Sequence, residues 1–189
     1  MRIALAGNPN CGKTTIFNQL TGRRERVGNW AGVTIESKEA PLRRRFSFDT
    51  DVTIIDLPGT YSLDAYTLDE QHAIDYIKQQ KIDCIINIVD ASNLERNLYL
   101  TTELQALNIP LVVALNKSDI VTRRKTTIDL NLLEELLGCE VFLVTATRNK
   151  GLRDVIHAAI KKGALNYCDR KEQGNQSRKQ KRKGKRHCH

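Results

Sequence analysis

The residues best suited to chemistry lie in three short motifs, the first of which is GNPNCGKT at Gly7–Thr14. It matches G-x-x-x-x-G-K-[ST] and stands between a predicted strand and a predicted helix, where backbone N–H groups can surround phosphate oxygens. We expect Lys13 to bridge β- and γ-phosphates and the Thr14 hydroxyl to bind Mg²⁺. The expected nucleotide-binding residues of this loop are Asn8, Pro9, Asn10, Cys11, Gly12, Lys13, Thr14 and Thr15.

The second motif is DLPG, Asp56–Gly59, at the end of the predicted strand VTIID. An aspartate at that point, opposite a phosphate-binding loop, can hold Mg²⁺ through a water molecule, and the Gly59 N–H can sense the γ-phosphate. The pattern DxxG is weak by itself. Its distance after the first motif makes it specific, so we expect Asp56 to be a metal ligand and Gly59 to take part in catalysis.

The third motif, NKSD at Asn116–Asp119, follows the strand PLVVAL and predicts the base. A carboxylate can accept from the N1–H and 2-amino donors of guanine, a pair that adenine lacks, so Asp119 is the expected guanine reader. Asn116 and Lys117 would brace the loop and cover the base. Backbone N–H groups at the end of the last strand could meet the guanine oxygen; these belong to Thr145, Ala146 and Thr147.

Strands and helices that follow one another along the chain must position these motifs. The predicted strands are apolar at consecutive positions, and the helices between them are amphipathic, which indicates βαβ units and a sheet covered on both faces. We therefore predict an α/β fold of the Ras-like P-loop GTPase type, with a mostly parallel six-stranded sheet. The predicted strands span 2–7, 40–48, 52–59, 83–91, 110–119 and 140–146, and the predicted helices span 14–22, 69–80, 96–107, 130–137 and 151–162.

The positive charge of the chain is concentrated at its C-terminal end. Residues 166–189 contain nine Lys/Arg and two Asp/Glu, so they carry +7 of the net charge of +8 and leave +1 for residues 1–165. We predict a G domain over 1–165 and a basic, disordered tail over 166–189. The tail could meet anionic lipid or RNA through charge, or it could simply be solvated.

The remaining composition predicts a reduced, cytoplasmic setting. The five cysteines form no CxxC pair, and no apolar run approaches the length that spans a bilayer.

The segment RVGNWAGVT between the first helix and the second strand predicts a switch. A P-loop GTPase needs a threonine from a mobile segment there to complete the Mg²⁺ shell, and Thr34 is the only threonine between Thr21 and the predicted second strand. Thr34 is therefore an expected metal ligand and catalytic residue. Trp30, the one tryptophan of the chain, lies four residues before it.

Together these residues resemble the N-terminal G domain of the ferrous-iron transport protein B (FeoB) family. The resemblance is carried by VGNWAGVT, DLPGTYSL and IVDASNLERNLYLTTEL, and it extends over roughly residues 1–163. It implies a regulatory G domain that binds GTP and GDP and couples nucleotide state to Fe(II) uptake, at the inner face of the cell membrane and beside a membrane transporter domain. The sequence leaves open a fragment of such a transporter or a stand-alone relative.

The alternative is a free cytosolic GTPase that binds RNA or ribosomal particles through its basic tail. No residue pattern identifies an iron ligand, an activator or an oligomeric state.

Hydrolysis is expected to be slow, because Thr60 follows DLPG where many GTPases place a glutamine that orients the attacking water. The resemblance implies a K⁺ ion instead, held between the phosphates by Asn10 and by switch carbonyls from about Gly28 to Trp30. A cation there would neutralise developing charge on the transferred phosphoryl group. The alternative reading is that Asn10 only shapes the turn.

Overall fold

The computed structural model describes residues 1–22, 26–29, 36–47, 51–59 and 81–166. Its described strands form a single seven-stranded sheet of order β2-β3-β4-β1-β5-β6-β7. The strands are β1 (Arg2–Gly7), β2 (Arg26–Asn29), β3 (Glu36–Pro41), β4 (Thr53–Asp56), β5 (Cys84–Asp90), β6 (Leu111–Asn116) and β7 (Val141–Leu143).

Strands β4, β1, β5, β6 and β7 run parallel, as predicted from the alternation of strands and helices. Strands β2 and β3 are antiparallel to each other, and β3 is antiparallel to β4. The six predicted strands are thus present, and β2 adds a seventh at the edge. In this register the carboxyl ends of the parallel strands meet along one edge of the sheet, which receives all three sequence motifs.

Five helices are described, and they cover both faces of the sheet. They are α1 (Lys13–Thr21), α2 (Leu94–Gln105), α3 (Ser118–Arg123), α4 (Leu130–Leu137) and α5 (152–166). Short 3₁₀ turns occupy Ala91–Asn93 and Ala146–Arg148. Within the described part of the chain, no helix combines the length and apolar character needed to cross a membrane.

The two faces of the sheet bury separate sets of side chains. Ile3, Leu5 and Ile86 pack with α1 and α5 on one face, whereas Ala4 and Ile85 pack with α2 on the other. Alternate residues of a strand point to opposite faces, so a strand covered on both sides must be apolar throughout. Strands β5 and β6 meet this requirement, since nearly every residue in them is buried.

The predicted position of the second strand is wrong. The sequence predicts a strand at 40–48, but β3 spans Glu36–Pro41, and residues 44–46 form a turn. Three consecutive arginines precede Phe46 and are all exposed, whereas an alternating strand would turn one of them inward. The Phe46 N–H donates to the Arg43 carbonyl at 2.9 Å, and this turn buries the Phe46 ring.

Four other parts of the chain differ from the prediction. No strand is predicted over residues 23–39, but β2 and the first residues of β3 form an antiparallel ladder there. The predicted strand at 110–119 ends at Asn116, and helix α3 begins at Ser118. Helix α2 begins at Leu94, two residues before the predicted start, and α5 continues through residue 166. The predicted helix at 69–80 and residues 167–189 of the tail lie outside the described residues.

Candidate functional site

The loop between β1 and α1 depends on two glycines that leave no room for a side chain. A Cβ atom on Gly12 would lie 2.2 Å from Asn116 Nδ2, and its φ of +97° is one that L side chains rarely adopt. A Cβ atom on Gly7 would lie 2.5 Å from the Ile88 carbonyl oxygen. The loop backbone is therefore held close to its neighbours.

The Cys11 side chain of this loop packs as a neutral group, because burial raises the pKa of its thiol to about 11.

Asn116 joins this loop to the segment that follows β7. Its Nδ2 donates to the Cys11 carbonyl at 2.9 Å, and its Oδ1 accepts from the Ala146 N–H at 3.0 Å. The residue is 3% exposed, so both bonds are protected from water. One buried amide thus fixes the first motif, the third motif and the strand end beyond β7 relative to one another.

The DLPG motif lies beside the same loop. Lys13 Nζ donates to Asp56 Oδ1, and both side chains are about nine-tenths buried. A Cβ atom on Gly59 would lie 3.5 Å from Pro9 Cα, which places the Gly59 backbone in contact with the phosphate-binding loop. The first and second motifs therefore converge, with the ammonium and carboxylate groups adjacent.

Asp90 is a site residue that the sequence reasoning missed. Lys117 Nζ donates to Asp90 Oδ2 at 2.5 Å, and Asp90 Oδ1 accepts from the Ser92 N–H at 2.9 Å and from the Ser92 hydroxyl at 2.6 Å. Burial opposes the ionisation of Asp90, but the hydrogen bonds from Lys117 and Ser92 outweigh it and hold the pKa below its usual value. A signal was present, because CIINIVD ends in this aspartate on the strand beside β6.

The residues expected to read guanine line a pocket of about 230 Å³. Asp119 receives a 3.4 Å contact from Arg123, whose side chain is 71% exposed, so the contact is weak and easily exchanged for a ligand. Ser118 and Thr145 join the two walls through their hydroxyl groups at 2.9 Å. Lining residues from the three segments are Gly12, Thr15, Asn116, Lys117, Asp119, Thr145, Ala146 and Thr147.

The oxygen donors at the phosphate end fit Mg²⁺. Thr14 is exposed in the first turn of α1, and Asp56 supplies one carboxylate. Mg²⁺ in nucleotide sites takes one or two protein oxygens, with phosphate and water oxygens completing the octahedron. The described residues contain no group of three or more His, Cys, Asp or Glu side chains that could hold a metal alone. The donor set therefore suits an ion shared between protein and phosphate.

The predicted switch residues are only partly described. Thr34 and Trp30 lie outside the described residues, as does Thr60. Gly28 is in β2, paired with Ser37 of β3, and β3 and β4 lie between β2 and β1. The strand ends that border residues 30–35 lie at the nucleotide edge of the sheet, because Lys38, near the start of β3, pairs with Asp56 at the carboxyl end of β4.

Comparison with known proteins identifies the family. Residues 1–159 match the family model described as ferrous iron transport protein B. The chain belongs to the FeoB family. Over 156 residues it is 53% identical to the Fe(2+) transporter FeoB of Salmonella typhimurium, a region that covers 80% of this chain and 20% of that protein. The chain thus spans about a fifth of the length of the curated FeoB relatives it matches.

Solved FeoB structures share the fold. An S. thermophilus NFeoB mutant bound to mGDP is 44% identical, with a TM-score of 0.78, covering 84% of this chain and 59% of that one. The FeoB G domain of Methanococcus jannaschii is 39% identical, with a TM-score of 0.74, covering 86% of this chain and 97% of that one. The predicted α/β G-domain fold and the FeoB resemblance are both confirmed. The family assignment also disfavours the alternative of a free RNA-binding GTPase.

Proposed function

We propose that this chain binds GTP with Mg²⁺ and hydrolyses it slowly, as the G domain of a ferrous-iron transporter. The observation that carries the proposal is the double hydrogen bond of Asn116, which brings the phosphate loop and the base-reading segments to one pocket. Support also comes from the FeoB G domains of the same fold, one of which is described as bound to mGDP.

The phosphate end acts through charge and backbone geometry. Lys13 exchanges its contact with Asp56 for the β- and γ-phosphates, and the N-terminus of α1 adds a dipole that favours negative charge. Asp56 and Thr14 would hold Mg²⁺ together with the phosphates, Asp56 through a water molecule, and Thr34 from the switch would supply a further oxygen. When bound, Mg²⁺ neutralises part of the phosphate charge.

The base end selects guanine. The Asp119 carboxylate accepts from N1–H and the 2-amino group, and backbone N–H groups of Thr145–Thr147 meet the guanine oxygen. Lys117 lies across the base while Asp90 fixes its ammonium group. This geometry rejects adenine, because adenine would leave the partly buried Asp119 carboxylate without two of its donors.

Hydrolysis depends on positioning rather than on a general base. The Gly59 N–H senses the γ-phosphate, and Thr60 lacks the amide of a water-orienting glutamine. The rate is therefore expected at the slow end of roughly 10⁻⁴ to 10⁻² s⁻¹ for GTPases that act without a partner.

K⁺ is the proposed activating cation, in place of a water-orienting glutamine. The Asn10 residue has a φ of +64°, which turns the loop sharply at the point where its side chain would hold K⁺ between the phosphates. Carbonyls from Gly28 to Trp30 would close the site, which requires this segment to leave its ladder with β3. A cation at that point would stabilise charge that develops in the transition state.

The role of the GTPase follows from the family. Switch residues that change with nucleotide state would signal to the membrane part of a Fe(2+) transporter, placing the chain in the cytoplasm at the inner face of the cell membrane. The basic tail adds attraction to anionic lipid or RNA through its net charge of +7.

The test measures how tightly the purified full chain binds fluorescent GTP, GDP and ATP, and how fast it releases phosphate from GTP. We expect guanine nucleotides alone to bind, and Lys13→Ala to lower hydrolysis by about 10²-fold or more because it removes a charged phosphate contact. Arg124→Gln, a charge change outside the pocket, is the matched control. Equal binding of ATP, or full activity of Lys13→Ala, contradicts the proposal.

A second measurement addresses K⁺. Hydrolysis is compared in KCl and NaCl at equal ionic strength, for the unchanged chain and for Asn10→Ala. We expect faster hydrolysis in KCl and loss of that difference in the variant. Equal rates in both salts, or a retained K⁺ response in Asn10→Ala, would show that Asn10 only shapes the turn.

A further inference from the structure

A basic pocket shares no lining residue with the nucleotide pocket. Its volume is about 490 Å³, and it opens between the turn after β3 and helix α5. The turn is at the amino end of β1, because Pro41 pairs with Thr53 and Thr53 pairs with Arg2. Residues that line the basic pocket include Arg45, Phe46, Ser47, Arg153, His157 and Lys161.

Contacts between the turn and α5 hold the walls of the basic pocket in place. Arg153 Nη2 donates to the Arg45 carbonyl at 3.2 Å, and His157 Nε2 lies 3.1 Å from the Phe46 carbonyl oxygen. The Arg45 guanidinium stacks over the Phe46 ring at 4.7 Å from its centroid. Arg45 Nη2 also donates to the Gln19 carbonyl at 3.2 Å, so both guanidinium groups have positions fixed by backbone carbonyls before any ligand binds, which lowers the entropy lost on binding.

Positive charge in the basic pocket is not neutralised by the residues around it. Within the described ranges, Arg45, Arg153 and Lys161 form no salt bridge and no acidic side chain lines the pocket, whereas Lys162 next along α5 pairs with Glu140 at 3.3 Å. Burial, and then the charge of Arg43, lower the pKa of Arg45. Guanidinium and ammonium groups brought together in this way suit a phosphate oxygen cluster.

We propose that the basic pocket binds the phosphate of an anionic phospholipid headgroup. Its volume is within the usual range of small-ligand sites, about 300–1,000 Å³. The membrane as the source of the phosphate rests on the proposed place of the chain beside a transporter. A single-stranded nucleic acid is a poorer match, because base stacking needs an open aromatic face and Phe46 is 5% exposed beneath Arg45.

The exit of the tail points to the same surface. Asn166 at the end of α5 donates to the Asp83 carbonyl at 3.1 Å, and the Asp83 N–H donates to the Arg2 carbonyl at 2.8 Å, at the amino end of β1. Residue 166 therefore lies at the same end of the sheet as the turn that forms one wall of the basic pocket. Residues 167–189 bring nine Lys/Arg and two Asp/Glu from this point, so both features attract an anionic surface.

The experiment is co-sedimentation of the full chain with phosphatidylcholine vesicles, with and without phosphatidylglycerol. The pocket variant is Arg153→Gln with Lys161→Gln. The control is Arg124→Gln with Lys125→Asn, which removes the same charge elsewhere and keeps a residue tolerant of the positive φ at 125. We expect binding only to vesicles with phosphatidylglycerol, and about tenfold or more weaker binding by the pocket variant than by the control.

Each alternative has its own outcome. Equal weakening of the two variants would assign binding to net charge and the tail, and would overturn the proposal. So would pocket-dependent binding of RNA without vesicle binding, or displacement by millimolar inorganic phosphate with no preference for vesicles. Circular dichroism checks folding of both variants, and GTP binding without vesicles is measured in parallel, so that failure of the lipid site is distinguishable from failure of the GTPase proposal.

Discussion

The two ends of the sheet use charged side chains in different ways. At the nucleotide end, Lys13 with Asp56 and Lys117 with Asp90 are paired and largely removed from water. At the opposite end the cations of the basic pocket are exposed, and no described carboxylate neutralises them. The two groups of charged side chains share no lining residue.

The difference follows from the kind of ligand that each end suits. A small ligand that must be positioned for reaction requires charges held by partners of fixed geometry, because a buried charge without a partner costs several kcal/mol. A broad anionic surface is attracted by exposed charges that keep their water and need no partner. We therefore expect substitutions at the first end to change specificity and stability, and those at the second to change association alone.

The largest expected effect is on base choice. Asp119→Asn replaces an acceptor pair with one acceptor and one donor, which matches xanthine, whose C2 position carries an oxygen in place of the amino group of guanine. We expect the preference for GTP over XTP to fall by about 10²-fold or more, measured by competition for a fluorescent guanine nucleotide.

The pocket variant, Arg153→Gln with Lys161→Gln, should prefer GTP over XTP as strongly as the unchanged chain does. If Asp119→Asn also keeps it, Asp119 does not read the base, and the comparison between the two ends loses its basis at the nucleotide end.

The next effect is on the free energy of unfolding. Asn116→Ala leaves the Cys11 carbonyl and the Ala146 N–H buried without their partner, at a cost of about 1–3 kcal/mol each. We expect a loss of about 2–4 kcal/mol, measured by urea unfolding followed by circular dichroism. The pocket variant should lie within about 0.5 kcal/mol of the unchanged chain, since its changes are on the surface. A similar loss of unfolding free energy in Asn116→Ala and in the pocket variant would show that the two pockets do not differ in their contribution to stability.

The smallest expected effect is on how the stability of the fold depends on pH. The pKa of Asp90 is lowered in the folded chain, so its ionised form stabilises the fold above the unfolded pKa of about 3.9, and that contribution is lost as the pH falls through the folded pKa. Asp90→Asn should therefore lower the melting temperature slightly at neutral pH and make stability fall less steeply on acidification.

Asp154→Asn, an exposed carboxylate on α5, serves as the control for acid sensitivity. Thermal melts of the three chains from neutral pH to about pH 3 provide the comparison. Identical pH dependence for Asp90→Asn and the unchanged chain would mean that the pair with Lys117 contributes nothing to stability.

Much of the candidate site follows from local sequence. The pattern GNPNCGKT requires glycines where the backbone approaches its neighbours, and Gly12 meets Asn116 at a distance that no Cβ could occupy. The parallel strands follow from uniformly apolar runs, because a strand covered on both faces cannot alternate. Helix α4 spans the predicted residues and is closed by Gly138 with φ of +61°, which glycine adopts without strain.

Other features have no local pattern. The stretch at 40–48 has the composition of a strand, yet its three arginines turn outward and the Phe46 ring is buried against α5. Asp90 appears as an ordinary strand end until β5 pairs with β6 and brings it to Lys117. In both cases the deciding contact joins residues far apart in the chain.

The sequence by itself determined the three motifs, the alternating elements and the FeoB resemblance, because these depend on backbone freedom, hydrophobic period and residue chemistry within short segments. Only the tertiary structure decided that Asn116 ties the motifs together, that Asp90 holds Lys117, and that Arg45 meets Arg153 across a pocket. The physical reason is that hydrogen bonds and like-charge clusters between distant segments depend on sheet order and helix packing, which no short segment specifies.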